Sequence, residues 1–412
     1  MPKNKFKLPD LQPSIWILAG GRLLSQIGSG LTLFYAPIFF VNQVGISATL
    51  VGFAIASGSV SGVFGRFWGG NAVDNPKWGR RKTLLISAAI SALADVFLAT
   101  TYNLPSLFLG NVLMGFGIGI YWPATDAAII DLTISEQRNE AFAITRLADY
   151  LGLSLGVILG GALIASSGNY RTLFVLDGIS FVLFFAVIYF AIAETYEFST
   201  QESPSNQGWL IALGDRALMV YALVNILFTT YLSQIQSTLP LYLKNFVTIG
   251  ESQLGFSEKV ISALFTWHIA LSVIAQLPMA RLLNYLSRIN ALIMSLILWG
   301  IGFILVWLTA IVNQPLICII LALGIMSLAM ISYTPSASAF VADIAPESLR
   351  GVYLAINSQC WAIGYFVGPV IGGYALDQSA AFVMAYWVTS AISIFLGIGI
   401  LSYLKKITTQ EI

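Results

Sequence analysis

The sequence predicts an all-α integral membrane protein whose twelve transmembrane helices form two related six-helix bundles. Three observations lead to this fold class. Hydrophobic residues make up 57% of the 412 residues and charged residues only 9%, whereas a soluble domain carries roughly a quarter charged residues. The chain also contains twelve apolar runs of membrane-spanning length, and its two halves repeat each other. We therefore expect this protein to be surrounded by lipid.

The runs set the organisation of the chain, because a bilayer core requires about 20 apolar residues per helix. They cover approximately residues 15–41, 47–69, 83–102, 106–130, 141–165, 172–193, 214–243, 258–280, 290–312, 315–340, 351–376 and 380–404. The longest polar connection, residues 194–208, follows the sixth run. It predicts an N-terminal bundle over 1–193, a cytoplasmic linker over 194–213 and a C-terminal bundle over 214–412.

The charge pattern predicts orientation and excludes several partners. Fourteen of the twenty Lys and Arg residues fall at the amino terminus, the carboxyl terminus or the even-numbered loops. The positive-inside rule then places both termini in the cytoplasm of a cell that carries the protein in its plasma or inner membrane. A near-neutral balance of 20 basic and 19 acidic residues gives no basic face for nucleic acid. The two cysteines, Cys318 and Cys360, offer no metal cluster, and we expect no cofactor.

The internal repeat relates the halves position by position. Residues 121–161 match 333–373 at a constant offset of 212, with an Asp, an Arg and four glycines in register. Residues 24–31 match 232–239 at an offset of 208, with six of eight residues identical. Two six-helix bundles in parallel repeat are typical of transporters that bind substrate between the halves.

Charged motifs lie at the ends of several runs. The loop after the second run reads GNAVDNPKWGRRK over residues 70–82, and the tenth run ends in DIAPESLRG over 343–351. These motifs resemble signatures of the major facilitator superfamily, which the chain resembles over essentially its full length. The corresponding positions are Gly70, Asp74, Gly79, Arg80, Arg81, Asp131, Arg138, Asp343, Glu347 and Arg350. The resemblance implies that they form a cytoplasmic gate in which Asp74 latches helix ends in one state. The alternative is that these charges only fix topology.

In the resembling family, the first, fourth, seventh and tenth helices line the substrate cavity. Gln26 and Gln234 are repeat mates on two of these helices, and Arg22 lies one turn from Gln26. Together they would recognise a polar or anionic group, although both Gln side chains could instead join helices structurally. The other predicted cavity residues are Phe34, Asn111, Tyr121, Trp122, Tyr242 and Tyr333. Because 13% of the chain is aromatic, packing alone also accounts for any single aromatic residue.

Ionisable groups inside the apolar runs are costly and mark candidate proton carriers. Asp149 is the leading candidate, together with Asp126 near the cytoplasmic end of the fourth run. Arg146, three residues before Asp149, can pair with it, so a structural ion pair is the alternative. Asp95 and Asp177 are further candidates on helices that are peripheral in the resembling family.

The resemblance is greatest to the twelve-helix drug:proton antiporters of the superfamily. It predicts a monomeric secondary transporter that exports amphipathic, drug-like compounds in exchange for protons, without ATP. One departure is Asn111, which stands where such antiporters often carry an arginine. A proton-coupled transporter of a sugar or organic anion is the alternative, favoured by Arg22 and the Gln pair. A non-transporting sensor or a membrane-embedded enzyme would be a different class, and the sequence contains no catalytic constellation for the enzyme.

Overall fold

The computed structural model describes residues 11–73, 75, 77–134, 137–194, 206–249, 253–283, 285–346 and 349–410. Within these residues, twelve helical segments are long and apolar enough to cross a membrane, as the sequence predicted. The amino-terminal spans are α1 (Pro13–Leu33) continued by α2 (Ala36–Asn42), α3 (Ala48–Val73), α4 (Gly79–Ala99), α5 (Leu104–Asp131), α6 (Arg138–Ser167) and α7 (Arg171–Ala191). A short helix, α8 (Asn206–Gly214), precedes the second half.

The carboxy-terminal half has the same plan. Its spans are α9 (Arg216–Gln236) continued by α10 (Thr238–Asn245), α11 (Glu258–Leu283), α12 (Arg288–Leu308), α13 (Pro315–Ile344), α14 (Arg350–Leu376) and α15 (Ala380–Gln410). Two-residue strands β1 (Thr248–Ile249) and β2 (Gln253–Leu254) form an antiparallel hairpin after α10.

The first and seventh spans are each broken into two helices, although the sequence predicts one continuous run in each. Proline explains both breaks, because it lacks the N–H that bonds to the carbonyl four residues earlier. Pro37 removes the bond to Leu33, and α1 ends at Leu33. Pro240 removes the bond to Gln236, and α9 ends at Gln236.

Helix contacts repeat between the halves. In the amino-terminal half, α1 contacts α6 and α7, α3 contacts α5, and α4 contacts α5 and α7. The equivalent contacts in the carboxy-terminal half join α9 to α14 and α15, α11 to α13, and α12 to α13 and α15. The halves meet where α3 contacts α14 and where α6 contacts α11, which is itself a repeat-related pair of contacts.

The close approach of α1 and α6 depends on glycine. A Cβ atom placed on Gly156 would lie 2.8 Å from the Cα of Gly30, closer than such atoms approach. The bare backbones therefore let the two helices touch, as small residues do in membrane helix pairs. This contact brings the polar side chains of α1 and α6 within bonding distance of each other.

An even number of spans leaves both chain ends on one side, which we name the terminal face; the other side is the opposite face. At the opposite face, the Asp377 carboxylate accepts hydrogen bonds from the backbone N–H groups of Ala48 at 2.9 Å and Thr49 at 2.7 Å. The amides of Asn42 and Asn245 bond to each other at 2.8 and 2.9 Å. Each of these bonds joins one half to the other.

Further contacts between the halves lie on the same side. The hydroxyl of Tyr170 donates to Glu258 Oε1 at 3.1 Å, and Lys244 Nζ lies 2.7 Å from the same oxygen. Nearer the terminal face, Arg66 Nη1 donates to Ser358 Oγ at 2.9 Å. Hydrogen bonds between the halves are thus concentrated at the opposite face among the described residues, so this conformer is closed there.

Candidate functional site

A buried ion pair joins α1 to α6. Arg22 Nε donates to Asp149 Oδ1 at 2.9 Å, and Arg22 Nη2 contacts Asp149 Oδ2. Arg22 is 1% exposed and Asp149 is 8% exposed. Removing two charges from water is costly, and the two-point geometry offsets part of that cost. The sequence predicted both residues as functional, and it offered Arg146 rather than Arg22 as a partner that could pair with Asp149.

Among the described residues, Arg146 does not form that ion pair in this conformer. The Arg146 side chain is exposed, and its guanidinium carbon lies 4.9 Å from the ring centroid of Trp122. Arg22 reaches Asp149 from the facing helix because glycines let α1 and α6 approach closely. Proximity along one helix was therefore a weaker constraint than packing between two helices.

Aromatic rings cover the ion pair. The guanidinium carbon of Arg22 lies 5.6 Å from the ring centroids of Tyr121 and of Trp122. The two rings meet edge to face, with centroids 5.2 Å apart. Cation–π contacts of this kind contribute on the order of 1–2 kcal/mol when water is excluded. The cluster thus combines fixed charge with flat apolar surface, which suits an amphipathic ligand.

Several polar atoms of the cluster have no hydrogen-bond partner among the described residues. They are Arg22 Nη1, the Tyr121 hydroxyl and Asp126 Oδ1. Asp126 interacts electrostatically with Arg146, Arg22 and Asp149, so the four charges form one network. Buried polar groups are nearly always bonded to protein or water. These atoms are therefore available to a ligand or to water.

The two predicted glutamines differ in environment. Gln26 is half-buried, and its Cβ lies 2.8 Å from where a Cβ on Gly152 would stand. Gln234 is 2% exposed, and its Oε1 has no hydrogen-bond partner among the described residues. A joint role in substrate recognition stays a prediction.

Three other predicted cavity residues are engaged in packing. Phe34 stacks on Phe265 of the other half, with centroids 4.0 Å apart. Asn111 Nδ2 donates to the carbonyl of Leu107 on its own helix at 2.9 Å. The Tyr242 hydroxyl lies 2.9 Å from Thr309 Oγ1. Tyr242 therefore packs within the carboxy-terminal half in this conformer, because its hydroxyl bonds to Thr309, the residue directly after α12.

Tyr333 belongs to a buried polar network in the carboxy-terminal half. Its hydroxyl donates to Asn225 Oδ1 at 2.5 Å, and Asn225 Nδ2 donates to Asn357 Oδ1 at 2.9 Å. The Tyr221 hydroxyl also donates to Asn357 Oδ1, at 3.2 Å. The sequence analysis identified Tyr333 but missed both asparagines, since a lone Asn in an apolar run carries little signal.

At the terminal face, the predicted gate residues tie together helices of the amino-terminal half. Arg80 Nε lies 2.9 Å from Asp131 Oδ2. The Glu194 carboxylate accepts hydrogen bonds from the backbone N–H groups of Arg80 at 2.8 Å and Arg81 at 3.3 Å. Gly79 has a φ of +66°, and a Cβ there would lie 2.5 Å from Glu194 Cδ. This position therefore requires glycine on two grounds.

The carboxy-terminal half carries the repeat-related ion pair, in which Arg288 Nε lies 3.4 Å from Asp343 Oδ2. Arg81 Nη2 donates to the carbonyl of Tyr189 at 2.5 Å, while Gly70 lies within α3. No contacts are described for the side chains of the other four predicted gate residues. Asp74 and Glu347 lie outside the described residues, as do the side chains of Arg138 and Arg350.

The sequence analysis missed two acidic residues that make structural contacts at the helix ends. Glu194 caps α4, and Asp377 caps α3 from the other half. An acidic residue directly after an apolar run was the available signal in both places. A carboxylate at a helix N-terminus is favourable because the unpaired N–H groups there carry partial positive charge.

Comparisons with known proteins agree with this architecture. The profile of the Major Facilitator Superfamily matches residues 18–250 and 245–411. Multidrug resistance protein MdtH of Aeromonas hydrophila is 23% identical over 88% of this chain and 88% of that protein. A Na(+), Li(+), K(+)/H(+) antiporter of Planococcus maritimus is 22% identical over 88% of this chain and 90% of that protein.

A solved structure shows the same fold. The crystal structure of nucleoside transporter NupG aligns with a TM-score of 0.82 over 96% of this chain and 100% of that one, at 13% identity. As the sequence predicted, the relatives and structural neighbours are transporters rather than enzymes. The chain belongs to the major facilitator superfamily and is a multi-pass membrane protein that transports small molecules by secondary transport.

Proposed function

We propose that this protein exports amphipathic organic compounds in exchange for protons, working as a monomer without ATP. The observation that carries this proposal is the buried Arg22–Asp149 ion pair under the rings of Tyr121 and Trp122. Aromatic faces bind apolar or cationic groups without a strict shape requirement. Multidrug resistance and cation/proton exchange are in the names of two relatives, which supports exchange of this kind.

Asp149 is the proposed proton carrier, and Arg22 is its regulator. In the ion pair, Asp149 is an ionised acceptor whose two oxygens are both held by the guanidinium. A proton can bind to Asp149 when Arg22 moves away, and substrate seated on the rings of Tyr121 and Trp122 would block that movement of Arg22. Rocking of the two halves would expose this site to one face and then to the other. Substrate and proton therefore compete for the same charged cluster.

The halves proposed to rock are the bundles of 1–193 and 214–412, joined by the linker over 194–213. We propose further that the terminal face is cytoplasmic, which makes this conformer inward-facing. An impermeant thiol reagent applied outside cells tests the orientation in a variant without Cys318 and Cys360. It should label Tyr102→Cys and leave Lys405→Cys unlabelled. The reverse pattern would contradict the orientation.

Proton-coupled transport of an organic anion or sugar is a second candidate function. It is favoured by Arg22 Nη1, a buried cationic donor with no hydrogen-bond partner among the described residues. A desolvated guanidinium binds carboxylates and phosphates strongly and contributes little to a neutral ligand. Replacing Arg22 with Gln should therefore affect anionic substrates most.

Proteoliposomes with an imposed pH gradient distinguish the two functions. The purified protein is offered cationic dyes, neutral amphipathic compounds, organic acids and sugars, and substrate-dependent proton movement is recorded. Amphipathic dyes should dissipate the gradient, whereas sugars and organic acids should not. Proton movement driven only by organic acids or sugars would replace the first function with the second. Transport that ignores the pH gradient would overturn proton coupling itself.

A further inference from the structure

Two carboxyl groups lie buried in the amino-terminal half, away from the Arg22–Asp149 pair. Asp95 on α4 is 1% exposed and Asp177 on α7 is 2% exposed. The two helices contact each other, and a Cβ atom placed on Gly178, the residue after Asp177, would lie 3.2 Å from the Cβ of Asp95. Neither oxygen of Asp95 has a hydrogen-bond partner among the described residues. Asp95 stands four residues before the end of α4, about 6 Å from the opposite-face end of that helix.

Cationic side chains near the pair are engaged elsewhere. Arg171, at the same end of the bundle, donates to the carbonyls of Ala99 and Thr101. The other titratable side chains on α4, on α7 and on the helices that contact them lie toward the terminal face. They are Arg22, Arg66, Arg80, Arg81, Lys82, Tyr121, Asp126, Asp131 and Tyr189. Of these, Arg22 is bonded to Asp149.

Two ionised carboxylates in this position would be strongly unfavourable. An unpaired buried ion costs several kcal/mol even after relaxation of the protein. Two like charges on contacting helices add their mutual repulsion to that cost. At least one proton must therefore reside on the pair at neutral pH.

The hydrogen bonds around the pair show which carboxyl group holds that proton. Asp177 Oδ2 accepts a hydrogen bond from Thr32 Oγ1 at 3.1 Å, while the Ser180 hydroxyl donates to the backbone carbonyl of Asp177 at 2.7 Å. Hydroxyl donors stabilise the ionised form of a carboxyl group. Asp95 receives no such donor among the described residues, so the neutral form of its carboxyl group is the favoured one.

We infer that Asp95 and Asp177 are a proton-binding pair, with the proton on Asp95, separate from the transport site at Arg22 and Asp149. The inference does not depend on the substrate proposed above. Its position suggests an effect on conformation, since Thr32 lies in the last turn of α1, directly before the helix break that follows Leu33. Loss of the proton would leave adjacent carboxylates against this break and destabilise the present conformer.

Infrared spectroscopy of the purified protein tests the inference by the carbonyl band of a protonated, buried carboxylic acid. The variants are Asp95→Asn and Asp177→Asn, and Asp343→Asn serves as the control because that carboxylate is exposed. At neutral pH, Asp95→Asn should remove a band equivalent to one carboxyl group. Asp177→Asn and Asp343→Asn should retain it. A wild-type spectrum whose acid band survives in both the Asp95 and Asp177 variants would overturn the inference.

Loss of the band in Asp177→Asn alone would overturn the assignment of the proton to Asp95.

Thermal unfolding provides a second readout that does not depend on band assignment. Asn cannot ionise and needs no proton uptake on folding, so Asp95→Asn should unfold at a higher temperature than the wild type at neutral pH. It should lose less stability than the wild type as the pH becomes alkaline. An equal alkaline loss in both proteins would contradict the inference, whatever the transport activity of the variant.

Discussion

The two halves of this protein share a helix plan but differ in the chemistry at its centre. In the amino-terminal half, α1 and α6 are joined by the Arg22–Asp149 ion pair. The repeat-related positions in the other half, at offsets of 208 and 212, are Thr230 and Trp361. The charges have therefore been confined to one half while the helix contacts were kept in both. The proposed function assigns the chemistry of coupling to the amino-terminal half and gives the other half the role of a neutral wall.

The neutral network of the carboxy-terminal half strengthens this contrast. Asn225 and Asn357 join α9 to α14, beside Tyr333, the repeat mate of Tyr121. Uncharged hydrogen bonds hold these helices together without a group that changes charge near neutral pH. By contrast, the Tyr121 hydroxyl has no hydrogen-bond partner among the described residues, although it lies next to the charged pair. The network around Asn225 is thus neutral, whereas the cluster around Arg22 is charged and has unpartnered polar atoms.

The largest expected effect comes from breaking the ion pair on one side. Arg22→Gln leaves Asp149 buried without its cation and should cost about 3–5 kcal/mol of stability. Adding Asp149→Asn should recover much of that loss, because no unpaired charge remains. Thermal unfolding in detergent measures both variants. If Arg22→Gln unfolds like the wild type, the pair is not the buried charge centre described above.

The comparison variant lies in the other half. Asn225→Ala removes a neutral partner of Tyr333 and Asn357, which should cost about 1–3 kcal/mol. The difference between this loss and that of Arg22→Gln measures the contrast between a charged centre and a neutral one. Equal losses would remove the distinction between the halves.

A smaller effect is expected at the terminal face, where the same ion pair occurs twice. Arg80 and Asp131 are 11% and 22% exposed, whereas Arg288 and Asp343 are 47% and 60% exposed. Exposed pairs contribute about 0–1 kcal/mol. Arg288→Gln should therefore change unfolding by less than about 1 kcal/mol, and Arg80→Gln by more. A larger loss of stability for Arg288→Gln than for Arg80→Gln would show that burial does not determine how much each ion pair contributes.

An effect of similar size, on substrate binding rather than on stability, is expected at the glutamines. A single neutral hydrogen bond contributes about 1 kcal/mol, or roughly a fivefold change in affinity. Gln26→Leu and Gln234→Leu should each weaken substrate binding by about that factor and leave the fold intact, since Leu suits a membrane interior. Equilibrium binding of the dye identified by the proteoliposome panel measures this effect. Unchanged affinity in both variants would indicate that the glutamines only join helices structurally and do not bind substrate.

The sequence was sufficient for the fold because membrane helices leave a strong one-dimensional signal. Run length predicted all twelve spans, and the repeat offsets of 208 and 212 anticipated the paired helix contacts. The sequence also contains the signal for the two helix breaks, which is the prolines Pro37 and Pro240. A count of apolar residues does not detect that signal. Run length and proline position can both be evaluated from residues that are close together in the sequence.

The site was less accessible to sequence reasoning because its contacts join distant residues. Asp149 was identified by its burial in an apolar run, but its partner lies 127 residues away in the chain. The nearer Arg146 was the natural expectation, and interhelical packing overrode it. Tyr242 was placed by its aromatic character alone, and its hydroxyl turned out to bond to Thr309 within its own half. Which face of a helix meets which neighbour is decided by packing between helices.

Proton flux through Asp149→Asn tests the central claim most directly. The variant is placed in proteoliposomes beside the wild type and beside Glu140→Gln, an exposed control in the first turn of the same helix. Substrate-driven proton movement and equilibrium substrate binding are measured on the same preparation. Asp149→Asn should still bind substrate but move no protons with it, while the control should match the wild type. Wild-type proton movement through Asp149→Asn would contradict the account, because the proton would then be carried elsewhere.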